Sequence, residues 1–93
     1  METYVMLATF TNPGSMKSEQ AGEMMAETQK TAASLGITIS SWLMTLGRFD
    51  TVITFQAPNG GAAAKFAMYL ASTGLRTQTL RAFPAEEAMS LLG

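Results

Sequence analysis

The sequence predicts an α+β protein of the ferredoxin-like class, in which the elements follow the order β-α-β-β-α-β and four strands form one antiparallel sheet. Four segments alternate in the manner of strands, and two segments between them repeat apolar residues at helical spacing. Glycine, proline or asparagine stands at most of the boundaries. With 93 residues, the chain has room for a single domain over residues 1–93 with one modest core, and a short helix ends it.

A strong turn signal separates the first strand from the first helix. Strand one alternates from Tyr4 to Thr11, and residues 12–14 (Asn-Pro-Gly) end it because proline cannot donate to a ladder. Ser15 or Ser18 suits the N-cap of the following helix, and Gly36 suits its left-handed stop. The predicted inward residues of this helix are Ala21, Met24, Met25, Thr28, Ala32 and Leu35.

The centre of the chain predicts a β-hairpin. Two runs rich in β-branched residues flank residues 47–48 (Gly-Arg), and glycine at the first central position suits a two-residue type II′ turn. Such a turn places Leu46 opposite Phe49 and Thr45 opposite Asp50, and it sets the register of every pair farther from the turn.

The two faces of this hairpin differ in polarity. The more apolar face carries Trp42, Ile53 and Phe55, and we expect it to meet the helices because it fills more volume. The other face mixes apolar and polar residues, namely Ile39, Ser41, Leu43, Thr45, Asp50, Val52, Thr54 and Gln56.

The last third of the chain repeats the strand and helix signals. Residues 57–61 (Ala-Pro-Asn-Gly-Gly) form a turn, a helix runs to about Thr73, and Gly74 stops it. Strand four covers Leu75 to Phe83, and Pro84 suits the first position of a short terminal helix. The predicted inward residues are Ala63, Phe66, Ala67 and Leu70 in the long helix, and Met89 and Leu92 in the short one.

Composition excludes several kinds of partner and chemistry. The net charge is −1 and only 14% of residues are charged, so no basic stripe is available for nucleic acid. No apolar run approaches the about 20 residues that span a bilayer, and Met1 leads directly into a strand pattern, so we expect a cytoplasmic protein that does not bind membranes. The absence of cysteine and histidine leaves no predicted metal site, no cofactor, no thiolate chemistry and no Ser-His-Asp triad.

A second copy of the chain is the expected partner. All four strands offer apolar residues in both directions, whereas two helices on one side of the sheet cover one face only. An exposed patch of that size is uncommon in monomers, and two-fold self-association is its commonest cover. We therefore expect a homodimer or a multiple of dimers.

Three segments support a resemblance to a known family. Residues 45–50 (Thr-Leu-Gly-Arg-Phe-Asp), residues 56–59 (Gln-Ala-Pro-Asn) and residues 76–83 (Arg-Thr-Gln-Thr-Leu-Arg-Ala-Phe) closely resemble the GYD domain family. The resemblance implies a dimeric α+β barrel, in which two ferredoxin-like sheets pack face to face, and it implies no established activity. Phe49 stands where the family's glycine-aromatic-aspartate signature has tyrosine, which argues against a mechanism that depends on a phenol.

Asp50 is the leading candidate for a functional residue, because a carboxylate at the edge of an apolar barrel is suited to act as a general base or to bind a ligand. The alternative is structural, with Asp50 accepting turn amides or pairing with an arginine. Arg76 and Arg81 have opposite parity in strand four, so at most one of them faces the barrel. The predicted ligand-binding residues are Thr45, Asp50, Ser41, Thr54 and Arg81.

Three functions fit these residues. The first is binding of a small molecule, either between the sheet and the helices or in the barrel of a dimer. The second is a cofactor-independent oxygenase or isomerase with Asp50 as its base, against which the absence of histidine counts. The third is an assembly module whose function is association itself.

Overall fold

A computed structural model describes residues 1–11 and 18–93 of the chain. The predicted turn at residues 12–14 and the predicted cap at Ser15 lie outside these residues. The elements in chain order are β1 (Glu2–Phe10), α1 (Ser18–Ser34), β2 (Thr38–Met44), β3 (Thr51–Ala57), α2 (Gly60–Ser72), β4 (Leu75–Ala82) and α3 (Ala85–Leu91).

The four strands form one sheet in the order β2-β3-β1-β4, and every neighbouring pair is antiparallel. The predicted α+β class and element order are therefore confirmed. Side chains from α1 and α2 pack against the same side of the sheet, where they enclose the core with residues of β1 and β3. The largest fully buried side chains are Phe55, Phe66, Met6, Ile53, Leu70 and Thr28.

An aromatic chain crosses the core from β1 to α2. The ring of Phe55 stacks on Tyr4, with 5.4 Å between centroids, and meets the ring of Phe66 edge-on at 5.1 Å. Both phenylalanine side chains are fully buried. Burying one such side chain contributes about 1.5–3 kcal/mol to the free energy of unfolding, so the contact between these two rings stabilises the packing of α2 on the sheet.

The register predicted for the hairpin is confirmed over most of its length. Leu43 pairs with Val52 and Trp42 with Ile53, and the face that carries Trp42 packs towards the helices as expected. The placement of Ile39 on the mixed face is wrong. The register shifts between Ile39 and Ser41, so that Ile39 pairs with the buried Phe55 and packs against the core.

The turn of the hairpin is wider than the predicted two-residue type II′ turn. The backbone N–H of Thr45 donates to the carbonyl of Asp50 at 2.9 Å, which closes the hairpin at these two residues and leaves residues 46–49 as the loop. Gly47 adopts a φ of +113°, so the loop does use the freedom of glycine. The hydroxyl of Thr45 also donates to the carbonyl of Phe49 at 2.6 Å and supports the wider loop.

The first helix agrees with its predicted pattern except at one position. Thr28 and Ala32 are buried, and Gly36 ends the helix with a φ of +73°, as predicted. Met25 is 41% exposed, so its prediction as an inward residue is wrong. Met25 lies at the margin of the apolar stripe, and the adjacent Met24 takes the place against the core.

The C-terminal helix departs most from expectation. Pro84 is its N-cap rather than its first residue, and none of its residues is buried. Met89 and Leu92 were expected to point inward, but they are 73% and 87% exposed, so that prediction is wrong. Helix α3 follows the edge strand β4, and it contributes no residue to the core cluster.

Candidate functional site

Neither long helix of the described residues packs against one face of the sheet, and we call it the open face. Its strand residues alternate with the buried ones, so their side chains point away from α1 and α2. From β1 to β4 they are Thr3, Val5, Leu7, Thr9, Thr38, Ser41, Leu43, Val52, Thr54, Gln56, Arg76, Gln78, Leu80 and Ala82.

The middle of the open face is apolar and almost free of charge. Val5, Leu7 and Val52 lie on the two central strands and are half-buried. Leu43 on one edge strand and Leu80 on the other are 57% and 49% exposed. Arg76 is the one charged residue among the strand residues of this face. Few charges at the centre of a surface are typical of protein interfaces.

Four of the five predicted ligand residues lie in the hairpin, on the open face or at its end. The hydroxyls of Ser41 and Thr54 form a hydrogen bond across β2 and β3, with 2.5 Å between oxygens. The hydroxyl of Thr45 donates a hydrogen bond to the carbonyl of Phe49. These side chains therefore hold the hairpin together, and they also place hydroxyl groups beside the apolar centre of the face.

Asp50 forms three hydrogen bonds, one within the hairpin and two to the first strand. Its carbonyl accepts from Thr45, its N–H donates to the carbonyl of Ala8 at 2.9 Å, and its Oδ2 accepts from the N–H of Phe10 at 2.8 Å. The carboxylate replaces a backbone acceptor where the β1–β3 ladder ends. The geometry thus gives Asp50 a structural role, and its use as a base or ligand residue stays a prediction.

Arg81 does not join the other predicted ligand residues. It pairs with Tyr4 in the β1–β4 ladder and so lies on the side of the sheet that carries the helices. Its guanidinium lies over the rings of Phe83, at 4.2 Å, and Tyr4, at 5.6 Å. Arg76 is the arginine that faces the open side, in agreement with the opposite parities of the two residues.

Tyr4 itself is held near the start of β1. Its hydroxyl donates to the carboxylate of Glu2, with 2.5 Å between oxygens. That hydrogen bond, followed by burial, raises the pKa of Tyr4 above its usual value. The phenol therefore stays protonated at neutral pH and acts as a hydrogen-bond donor.

A depression of about 270 Å³ lies at the end of the open face next to the hairpin loop. Two strands and the loop line it with Thr9, Arg48, Phe49, Arg76 and Gln78. None of these five residues is among the predicted ligand-binding residues. The parity of Arg76 was available from the sequence, but the proximity of β4 to the hairpin loop depends on the strand order.

Within residues 1–11 and 18–93, no group of three or more His, Cys, Asp or Glu side chains is placed to hold a metal ion. The same part of the chain contains no helix that combines the length and the apolar character needed to cross a membrane.

The fold and the open face define a small α+β domain with a single sheet covered on one side. The family model of the GYD domain matches residues 4–92, which is nearly the whole chain. The protein therefore belongs to the GYD domain family, as its hairpin and strand-four segments indicated. No curated protein matches the chain.

Proposed function

We propose that this protein forms a homodimer through the open face and binds a small molecule in the barrel that the two sheets enclose. One observation carries the proposal. Both long helices cover the same side of the sheet, so a single copy leaves Leu43 and Leu80 about half exposed on the other side. Covering this face removes apolar surface from water at about 25 cal/mol per Å².

A second copy fits the open face better than a charged partner does. The centre of the face is neutral, and the same apolar residues can meet their own symmetry mates in a two-fold interface. The dimeric barrel that the family resemblance implies uses this arrangement. Hydroxyls of Ser41 and Thr54 would then line the enclosed space and could orient a bound molecule.

Binding is favoured over catalysis by the position of the one predicted base. The carboxylate of Asp50 is engaged with the N–H of Phe10, and the chain contains no histidine to take its place. A cofactor-independent oxygenase or isomerase that uses Asp50 would have to break this hydrogen bond or share it with its substrate.

A single charged substitution tests the interface. Val52→Arg places a guanidinium at the centre of the open face, between Leu7 and Leu43. Ala64→Arg adds the same group on the exposed side of α2 and serves as the control. Size-exclusion chromatography with light scattering should give a monomer for the first variant and a dimer for the second, with the same circular dichroism. A dimer of Val52→Arg would place the interface elsewhere.

A thermal-shift screen tests the binding function. A ligand present at 100 times its dissociation constant stabilises the folded protein by about 2.7 kcal/mol, which raises the melting temperature of a domain of this size by about 10 °C or more. We expect such a shift for the wild-type dimer with at least one class of metabolite, and a much smaller one for Val52→Arg. A flat response across all classes would contradict a binding function.

A further inference from the structure

We infer that the depression beside the hairpin loop binds an anionic oxygen group, a carboxylate or a phosphate, carried by a small flat apolar molecule. The inference rests on the proposed binding function and names the chemical class of its ligand. The residues that line the depression differ from the predicted ligand-binding residues.

The strand register brings the polar lining of the depression together. Thr9 of β1 pairs directly with Arg76 of β4, and Gln78 lies two residues farther along the same face of β4. The hairpin loop adds Arg48 and Phe49 from the other side. Two arginines, one glutamine and one threonine thus line a single space.

The charge of the depression is unusual for this chain. The net charge is −1, yet two of the three arginines line this one space. Neither guanidinium forms an ion pair with a carboxylate of the described residues. Asp50, the residue after Phe49, directs its Oδ2 to the N–H of Phe10. Guanidinium groups that form no ion pair match carboxylate and phosphate by their planar fork of donors.

The shape and the apolar wall limit what the anion can be attached to. Phe49 is half-buried beside the depression and gives it an aromatic wall, and Arg48 lies next to this wall with its guanidinium 5.4 Å from the ring centroid. An aromatic wall favours contact with a flat group. A volume of about 270 Å³ is below the usual range for drug-sized ligands and suits a molecule with a single ring. A second sheet over the open face would exclude water and strengthen the attraction between arginine and anion.

Titration of the ¹⁵N-labelled wild-type dimer with benzoate, followed by NMR, tests this inference. Benzamide has the same ring and no charge, so it is the matched control ligand, and phenyl phosphate replaces the carboxylate by a phosphate. We expect benzoate or phenyl phosphate to shift the amide signals of Thr9, Phe49 and Gln78, and benzamide to bind at least tenfold more weakly. The tighter of the two anions identifies the group that the site prefers.

Two arginine variants and one lysine variant complete the test. Arg76→Gln and Arg48→Gln should each weaken anion binding at least tenfold while the protein remains a dimer. Lys65→Gln removes a cation from the exposed side of α2 and should bind the anion as the wild type does. Equal binding by the arginine variants, equal binding of benzamide, or an intact dimer that binds neither anion would overturn the inference.

These results also separate the inference from the proposed function. A dimer that binds other molecules in the thermal-shift screen but neither anion overturns the anion site alone. A wild-type monomer that binds benzoate through Arg48 and Arg76 supports the anion site and overturns the dimeric barrel.

Discussion

Replacing Asp50 by alanine should show how much its carboxylate contributes to the stability of the fold. The substitution leaves the N–H of Phe10 without its acceptor at 2.8 Å, at the point where the β1–β3 ladder ends. A hydrogen bond to a charged group contributes about 1.5–3 kcal/mol, so Asp50→Ala should lose about that much free energy of unfolding. For a domain of this size the loss lowers the melting temperature by at least about 6 °C.

Asparagine at the same position separates charge from geometry. Asp50→Asn keeps an oxygen that can accept from Phe10, but a neutral acceptor is about half as strong, so the loss should be about 1 kcal/mol. Glu87→Ala removes an exposed carboxylate from α3 and should change stability by less than about 0.5 kcal/mol. Urea unfolding at pH 7 measures all three variants. An Asp50→Ala protein as stable as Glu87→Ala would refute the structural role of Asp50.

Two further predictions concern the core and the dependence of stability on pH. Phe66→Ala removes a fully buried ring that meets Phe55 edge-on, and urea unfolding should show a loss of about 3–5 kcal/mol, whereas a loss below about 1 kcal/mol would contradict the packing described for α2. The raised pKa of Tyr4 means that the folded protein holds the phenolic proton more tightly than the unfolded chain. The contribution of the protonated Tyr4 to the free energy of unfolding is therefore fully present below about pH 10, and it is lost as pH rises through the pKa of Tyr4 in the folded protein. The free energy of unfolding should then fall more steeply with alkaline pH in the wild type than in Tyr4→Phe, and parallel curves would show that the hydrogen bond to Glu2 contributes nothing.

The parts of the fold that depend on neighbours in sequence were predictable. The alternation of β1 and the glycine stop of α1 are local signals, and the structure has both where they were expected. The register from Ser41 to Met44 was also predictable, because a hairpin pairs residues at equal distance from its loop. The loop itself has four residues instead of two, and this change keeps the same pairing.

The predictions that were wrong concern features that depend on contacts between segments distant in the sequence. The register shift near Ile39 pairs this residue with Phe55 and lets its side chain pack against the core. The alternation of residues in β2 does not predict this shift. Met89 is exposed and no residue of α3 is buried, whereas the spacing of apolar residues in a seven-residue helix predicts only that one side of it is apolar.

The candidate site follows the same rule. Parity showed that Arg76 and Arg81 lie on opposite faces, but only the β1–β4 register shows which of them faces the open side. The depression is lined by residues of β1, β4 and the hairpin loop, so no single segment of the sequence predicts it.

Native mass spectrometry of the wild type and Val52→Arg tests the central claim, that a second copy covers the open face, most directly. The wild type should appear at twice the chain mass of 9.9 kDa, and Val52→Arg should appear at the chain mass itself. A wild-type monomer at the same concentration, or a Val52→Arg protein that remains a dimer, would contradict the claim.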